Sequence, residues 1–99
     1  MQQNEEVCRI AIGARAVLAA EYNTVPIELY PHQLIERNGA SYLRAVNPAK
    51  ARRHDEPPAL GLFHLGGLGG LRLTGEAFEP LPPAELAPAH PEDRVVASV

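Results

Sequence analysis

Residues 33–46 read QLIERNGASYLRAV, two runs of strand-forming residues on either side of Asn38-Gly39. Asn-Gly is the strongest short hairpin signal. Both central residues of a type I′ turn need positive φ, which Gly adopts freely and Asn tolerates. A two-residue loop here sets the pairing: Gln33 faces Arg44, Leu34 faces Leu43, Ile35 faces Tyr42, and Glu36 faces Ser41. Paired residues share a side of the sheet. One side therefore carries Leu34, Leu43 and Ala45, and the other Ile35, Tyr42 and Val46. A ribbon with apolar groups on both faces belongs inside a small closed sheet or beneath a helix.

The length of 99 residues suits one domain that buries a core without staples. With three Tyr, two Phe and no Trp, that core leans on Leu, Val, Ile and Ala. A net charge of −3 argues against a domain that binds nucleic acid by electrostatics as a whole. All but one of the nine Lys and Arg residues are Arg, which suits planar anion recognition. A GC-rich coding sequence accounts for the same bias. The single Cys rules out an internal disulfide and fits a reducing compartment. The N-terminus is acidic and polar, without the apolar run of a secretory signal, and no stretch reaches the ~20 apolar residues of a membrane span. The expectation is a cytoplasmic protein with no membrane partner.

Residues 4–15 read as a short helix, with Asn4 as N-cap and Glu5 and Glu6 where the helix dipole favours negative charge. Val7, Ile10, Ala11 and Ala14 form its apolar stripe, widened by Cys8 and Ile12, and Gly13 stands near its end. Cys8 reads as a core residue rather than a reactive thiol. Residues 16–22 and 25–30 read as strands joined by a tight turn at Asn23-Thr24, and Pro31 is expected to bend the chain into the 33–46 hairpin. A polar, charged loop spans 49–59. Strands are expected at 60–65 and 71–74, with a flexible or bent Gly-rich link at 66–70 and Phe78 folding back as an anchor. Residues 80–91 hold five Pro and should form no more than one turn near 83–86. Residues 94–99 return to strand formers and suit an edge strand, in this chain or a neighbouring copy.

One helix followed by several short strands with tight turns predicts a mainly β fold with one N-terminal helix, a small, bent β-barrel of the SH3 or Sm kind. The expected division is a barrel unit over 1–80 and a Pro-rich tail over 81–99.

No reaction is written in the residues. The Gly-rich run at 60–75 lacks both Gly-Lys-Ser/Thr and GxGxxG spacing, so its glycines are expected to permit bends rather than cradle phosphate. His32, His54, His64 and His90 show no metal-ligand spacing, and neither Ser41 nor Ser98 has a base beside it. The expectation is a non-enzyme without cofactor or metal. Two constellations suit binding. Tyr42 and Arg44 alternate along one strand face, a stacking ring beside a guanidinium, which fits a nucleotide or single-stranded nucleic acid. Arg52-Arg53 can grip an anion bidentately. In both, packing or solvation is the plainer reading.

The order of these features resembles the WYL domain family. NGASYL stands where that family has its Trp-Tyr-Leu tripeptide after a Gly turn, preceded by a strand ending in Tyr22 and by Pro31. LFHLGGLGGLRLTGEAFEP is similar to the family's FRLDRI segment and the G-x-x-F that follows it. The resemblance covers roughly residues 7–80. It implies an Sm/SH3-like barrel, usually joined to a helix-turn-helix in bacterial transcription regulators, that senses a nucleotide or nucleic acid through Tyr and Arg side chains. Tyr42 matches the motif Tyr, and Tyr22 and His32 match polar positions near the site. The chain departs from the pattern where Ser41 replaces Trp and where His64, Gly66 and Gly67 replace Arg, Asp and Arg. Only fifteen residues precede the first expected strand, so a stand-alone domain is expected, with DNA binding supplied by a protein partner.

The functional expectation is a ligand-sensing regulatory module. Tyr22, His32, Tyr42, Arg44 and His64 line its site, Arg52 and Arg53 stand at the rim, and the ligand is a nucleotide or other small anion. The alternatives are a homodimerising interaction module that has lost ligand binding and, more weakly, a binder of single-stranded nucleic acid.

Overall fold

The computed structural model describes residues 2–49, 59–88 and 90–99. Among the described residues the chain is mainly β, with one N-terminal helix and six antiparallel strands. Helix α1 spans Gln2–Ala14. It starts before Asn4, so Asn4 is not the cap but sits in the first turn and donates its side-chain amide to the Leu68 carbonyl at 3.2 Å. Its buried face is narrower than the expected stripe. Cys8, Ala11 and Ile12 are sealed, whereas Ile10 is 48% exposed and Ala14 is exposed. Positions 8, 11 and 12 share one side of the helix, and that side, flanked by Val7, faces the sheet. The helix ends at Arg15 in the left-handed region, φ 54°, rather than at Gly13, and the Arg15 carbonyl receives the Phe78 N–H at 3.0 Å.

Strands β1 (Ala16–Tyr22) and β2 (Val25–Arg37) form a hairpin whose two-residue turn puts Asn23 and Thr24 at φ 52° and 65°. Strand β2 does not stop at Pro31, as expected, but runs through it for 13 residues. Its 25–29 half pairs with β1, and from Tyr30 onward it pairs with β3 (Ala40–Val46). Pro31 lies where one neighbour hands over to the other, and the ladder slips between Pro31 and Gln33. A residue without an N–H is tolerated at such a break.

The β2–β3 turn has Asn38 at φ 52° and Gly39 at φ 81°, both positive as type I′ requires. The pairs Gln33↔Arg44, Leu34↔Leu43, Ile35↔Tyr42 and Glu36↔Ser41 form as read from the sequence. Strand β4 (Gly61–His64) pairs with β3, and a 3₁₀ turn, Leu65–Gly67, leads into β5 (Leu68–Ala77). The link expected as flexible at 66–70 is thus that turn plus the start of a long strand, which pairs with β1 through two register shifts. Gly70 and Gly75 hold positive φ of 58° and 84° within it.

The order β4-β3-β2-β1-β5 gives a bent sheet whose end strands β4 and β5 form no ladder with each other, so it is not closed. β6 (Arg94–Ser98) pairs with β2 of its own chain. α1 packs on the concave side, over a core of Leu18, Leu29, Leu34, Leu43, Ala45, Leu65 and Leu68. Each fully buried Leu contributes about 1.5–3 kcal/mol. Phe78 is buried and stacks on Tyr30 at 5.3 Å, the anchor role expected of it. Among the described residues of the Pro-rich stretch there is a 3₁₀ turn, Pro83–Leu86, and, beyond the one turn expected, a second at 90–93, where the Asp93 N–H bonds the His90 carbonyl at 3.1 Å. No helix among the described residues is long and apolar enough to cross a membrane.

Candidate functional site

Strand alternation and the β3 pairings place Ile35, Tyr42 and His64 in one row across β2, β3 and β4, with Gln33, Arg44 and Leu62 in the next. Both rows lie on the convex face, away from α1. Tyr42 and His64 meet edge to face, ring centroids 5.1 Å apart at 87°. The guanidinium of Arg37 lies 5.7 Å from the Tyr42 centroid. Arg37 also grips Asp93 with two hydrogen bonds, the second at 3.1 Å. That bonding holds the Asp93 carboxyl below its ordinary 3.8 and raises the Arg37 pKa.

His64 is exposed, and its Nδ1 accepts the Gly66 N–H at 3.0 Å. The neutral ring therefore carries its proton on Nε2, a donor turned outward. A Cβ on Gly66 would come within 3.1 Å of that ring, so a larger residue at 66 would require the His64 ring to shift by a few tenths of an ångström. Beside it a depression of about 260 Å³ is lined by Asn4, Gly39, Ala40, Ser41, His64, Leu65 and Gly66. On its wall Ser41 donates to the Glu5 carboxylate at 2.8 Å, so the hydroxyl is paired with an acid rather than an imidazole.

Arg44 is committed differently from Arg37. It donates to Gln33 Oε1 at 2.8 Å and to the carbonyls of Ala87, Leu86 and Glu85 at 3.0, 3.3 and 3.4 Å. Gln33, itself buried, donates Nε2 to the Leu86 carbonyl at 2.9 Å and to Ser98 Oγ at 3.4 Å. Among the described residues Arg37 and Arg94 have carboxylate partners, Asp93 and Glu36, whereas no carboxylate lies within 4 Å of Arg44.

A scan against protein-family models, a search of curated proteins and a search of solved structures return no match to this chain.

The other expected site residues lie elsewhere. His32 is 1% exposed, and backbone partners occupy both ring nitrogens. Nε2 accepts the Leu81 N–H at 3.0 Å, which leaves Nδ1–H to donate to the Tyr30 carbonyl at 2.7 Å. Burial is the main cause of a pKa below the ordinary 6.5; the Tyr30 carbonyl opposes it and the Arg44 charge adds to it. His32 thus ties the C-terminal segment to β2 and offers no free nitrogen to a ligand. Tyr22 packs edge to face on Phe63 at 5.6 Å, with Gly67 against its ring, and so joins β1 to β4. Arg52 and Arg53, with His54, fall outside the described residues.

The structure therefore sets Tyr42 against His64 with Arg44 one alternation along the same face, and gives Tyr22 and His32 other partners, although the Arg44 charge still reaches His32. Arg37 belongs to the convex face and was missed, although the 33, 35, 37 alternation puts it beside Tyr42. Asp93, 56 positions beyond Arg37, gave no sequence signal. Among the described residues no three His, Cys, Asp or Glu side chains gather as a metal site.

Proposed function

We propose that this chain is a non-enzymatic ligand-sensing module of the WYL kind, a small bent barrel-type β domain that binds a nucleotide or similar small anion on its convex face. Tyr42 and His64 offer the ring edge and face for a base. Arg44, one alternation along β3, offers the cation for a phosphate. The observation that carries this reading is the state of Arg44, a half-buried guanidinium held by four neutral oxygens with no counter-ion among the described residues. Output to transcription runs through a protein partner that supplies DNA binding. The C-terminal strand pairs with its own β2 in this chain, which weighs against the alternative in which that strand joins two copies.

The test is a thermal-shift panel of nucleoside monophosphates and short oligonucleotides. A true ligand at ~100 times its Kd adds about 2.7 kcal/mol, and Tyr42→Ala should erase the shift. If no compound raises the melting temperature, and Tyr42→Ala alters stability alone, the sensing reading fails. A shift seen with oligonucleotides alone, weakening steeply with salt, would move the assignment to single-stranded nucleic acid.

A further inference from the structure

We infer that the 3₁₀ turn Pro83–Leu86 is an in-chain stand-in for the ligand, occupying Arg44 in the resting protein and unwinding when a small anion binds there. This rests on the ligand site proposed above and adds how that site is regulated.

The guanidinium of Arg44 faces the carbonyls of Glu85, Leu86 and Ala87, which are the oxygen ends of one short turn. Three carbonyl oxygens present partial negative charge where a phosphate or carboxylate would present a full one. An ionised acceptor adds Coulomb attraction to the guanidinium and a bidentate geometry that a single neutral carbonyl lacks. An anion and the turn therefore compete for the same donors, and the anion has the stronger individual bonds.

The turn is built to yield. None of its residues is buried, and Glu85 N–H to the Pro82 carbonyl, 2.9 Å, is its own backbone bond. Its flanks are anchored separately. Leu81 is tied to His32 Nε2 on one side, and on the other Asp93 is tied to Arg37, with β6 paired along β2. The turn can thus open as a local unit while β6 stays in the sheet. Gln33 links the two, because the Nε2 that loses the Leu86 carbonyl also reaches Ser98 on β6.

The experiment is amide hydrogen exchange on the full chain in inorganic phosphate and in sodium chloride of equal ionic strength. Phosphate should speed exchange at Glu85 by about fivefold or more, with Val99, whose N–H bonds the His32 carbonyl, unchanged. Arg44→Gln should exchange fast at Glu85 without phosphate and not respond to it. Leu86→Gly, which loosens the turn and leaves the Arg44 and Gln33 side chains in place, should bind phosphate about fivefold or more tightly, because less of the protein starts in the closed form. Unchanged Glu85 exchange in phosphate, an equal response to chloride, or unaltered phosphate affinity in Leu86→Gly overturns the inference. A nucleotide that raises melting through Tyr42 while Glu85 stays protected refutes the stand-in and leaves the ligand site in place. Phosphate that opens the turn when no nucleotide raises melting does the reverse.

Discussion

Acidification through the range where histidine titrates should loosen this protein, and His32 should account for the loss. Its two ring nitrogens are satisfied in one neutral tautomer, with Nδ1–H toward the Tyr30 carbonyl and Nε2 accepting from Leu81. A second proton on Nε2 would set N–H against N–H. It would also place a positive charge in a buried site that already feels Arg44. The folded pKa is therefore below 6.5, while the unfolded chain titrates near 6.5. The unfolded state takes up the proton first. The contribution is then complete above 6.5, declines as pH falls from 6.5 to the folded value, and is constant below it. Each unit between the two values is worth about 1.36 kcal/mol, and each kcal/mol moves Tm by roughly 4–8 °C in a domain of this size. Urea melts of wild type and His32→Gln between pH 7.5 and 4.5, followed by circular dichroism, isolate the effect. Contributions common to both proteins cancel in the difference. Gln is expected to cost about 1–3 kcal/mol at pH 7.5 through imperfect pairing and lost contact with Phe78. That gap should narrow as pH drops. A gap that stays constant with pH, or an NMR titration placing His32 at or above 6.5, would refute the reasoning.

Leu43→Ala removes a fully buried side chain from the middle of the core and should cost about 2–5 kcal/mol in a urea melt, with little effect if the site were looser than it is. Gly39→Ala meets no atom within 4 Å but must hold φ 81°, so the expected loss is backbone strain alone, about 1–2 kcal/mol by thermal melting. Burial and the nearby Glu5 push the Cys8 thiol up to about 12, so it should resist a thiol reagent in the folded protein at pH 8 and react at once in denaturant. Below pH 3.8 a second acid step should appear as Asp93 loses the charge that pairs it with Arg37, and Asp93→Asn should abolish that step.

The hairpin at 33–46 was legible because its determinants are local. Positive φ at Asn38 and Gly39 is a property of those residues, and once the loop length is known every opposed pair follows by counting. The same holds for the strand ending at Tyr22 and for the turn at 83–86, although a second turn at 90–93 was not expected. Misreadings arose where a local preference met a tertiary demand. Pro31 predicts a break, yet β2 continues because the break falls where its hydrogen-bonding neighbour changes. Ile10 predicts burial, yet the sheet covers the side of the helix that carries Cys8, Ala11 and Ile12 and leaves Ile10 half exposed. For the candidate site, sequence alternation placed Tyr42 and Arg44 on one face, and β4 brought His64 to them.

What the chain determined by itself was its vocabulary: one helix, a type I′ reversal, and apolar groups on both sides of the central ribbon. Tertiary structure alone decided how the polar side chains on that ribbon are used. His32, Gln33 and Arg44 satisfy themselves on the backbone of residues 81–87, some fifty positions away in the case of His32 and Leu81. Backbone carbonyls and amides are the same in every residue, so no pattern of side chains announces which ones will be met. That pairing exists only once folding has closed the long loop between them, and it turns expected ligand groups into clasps for the chain's own end.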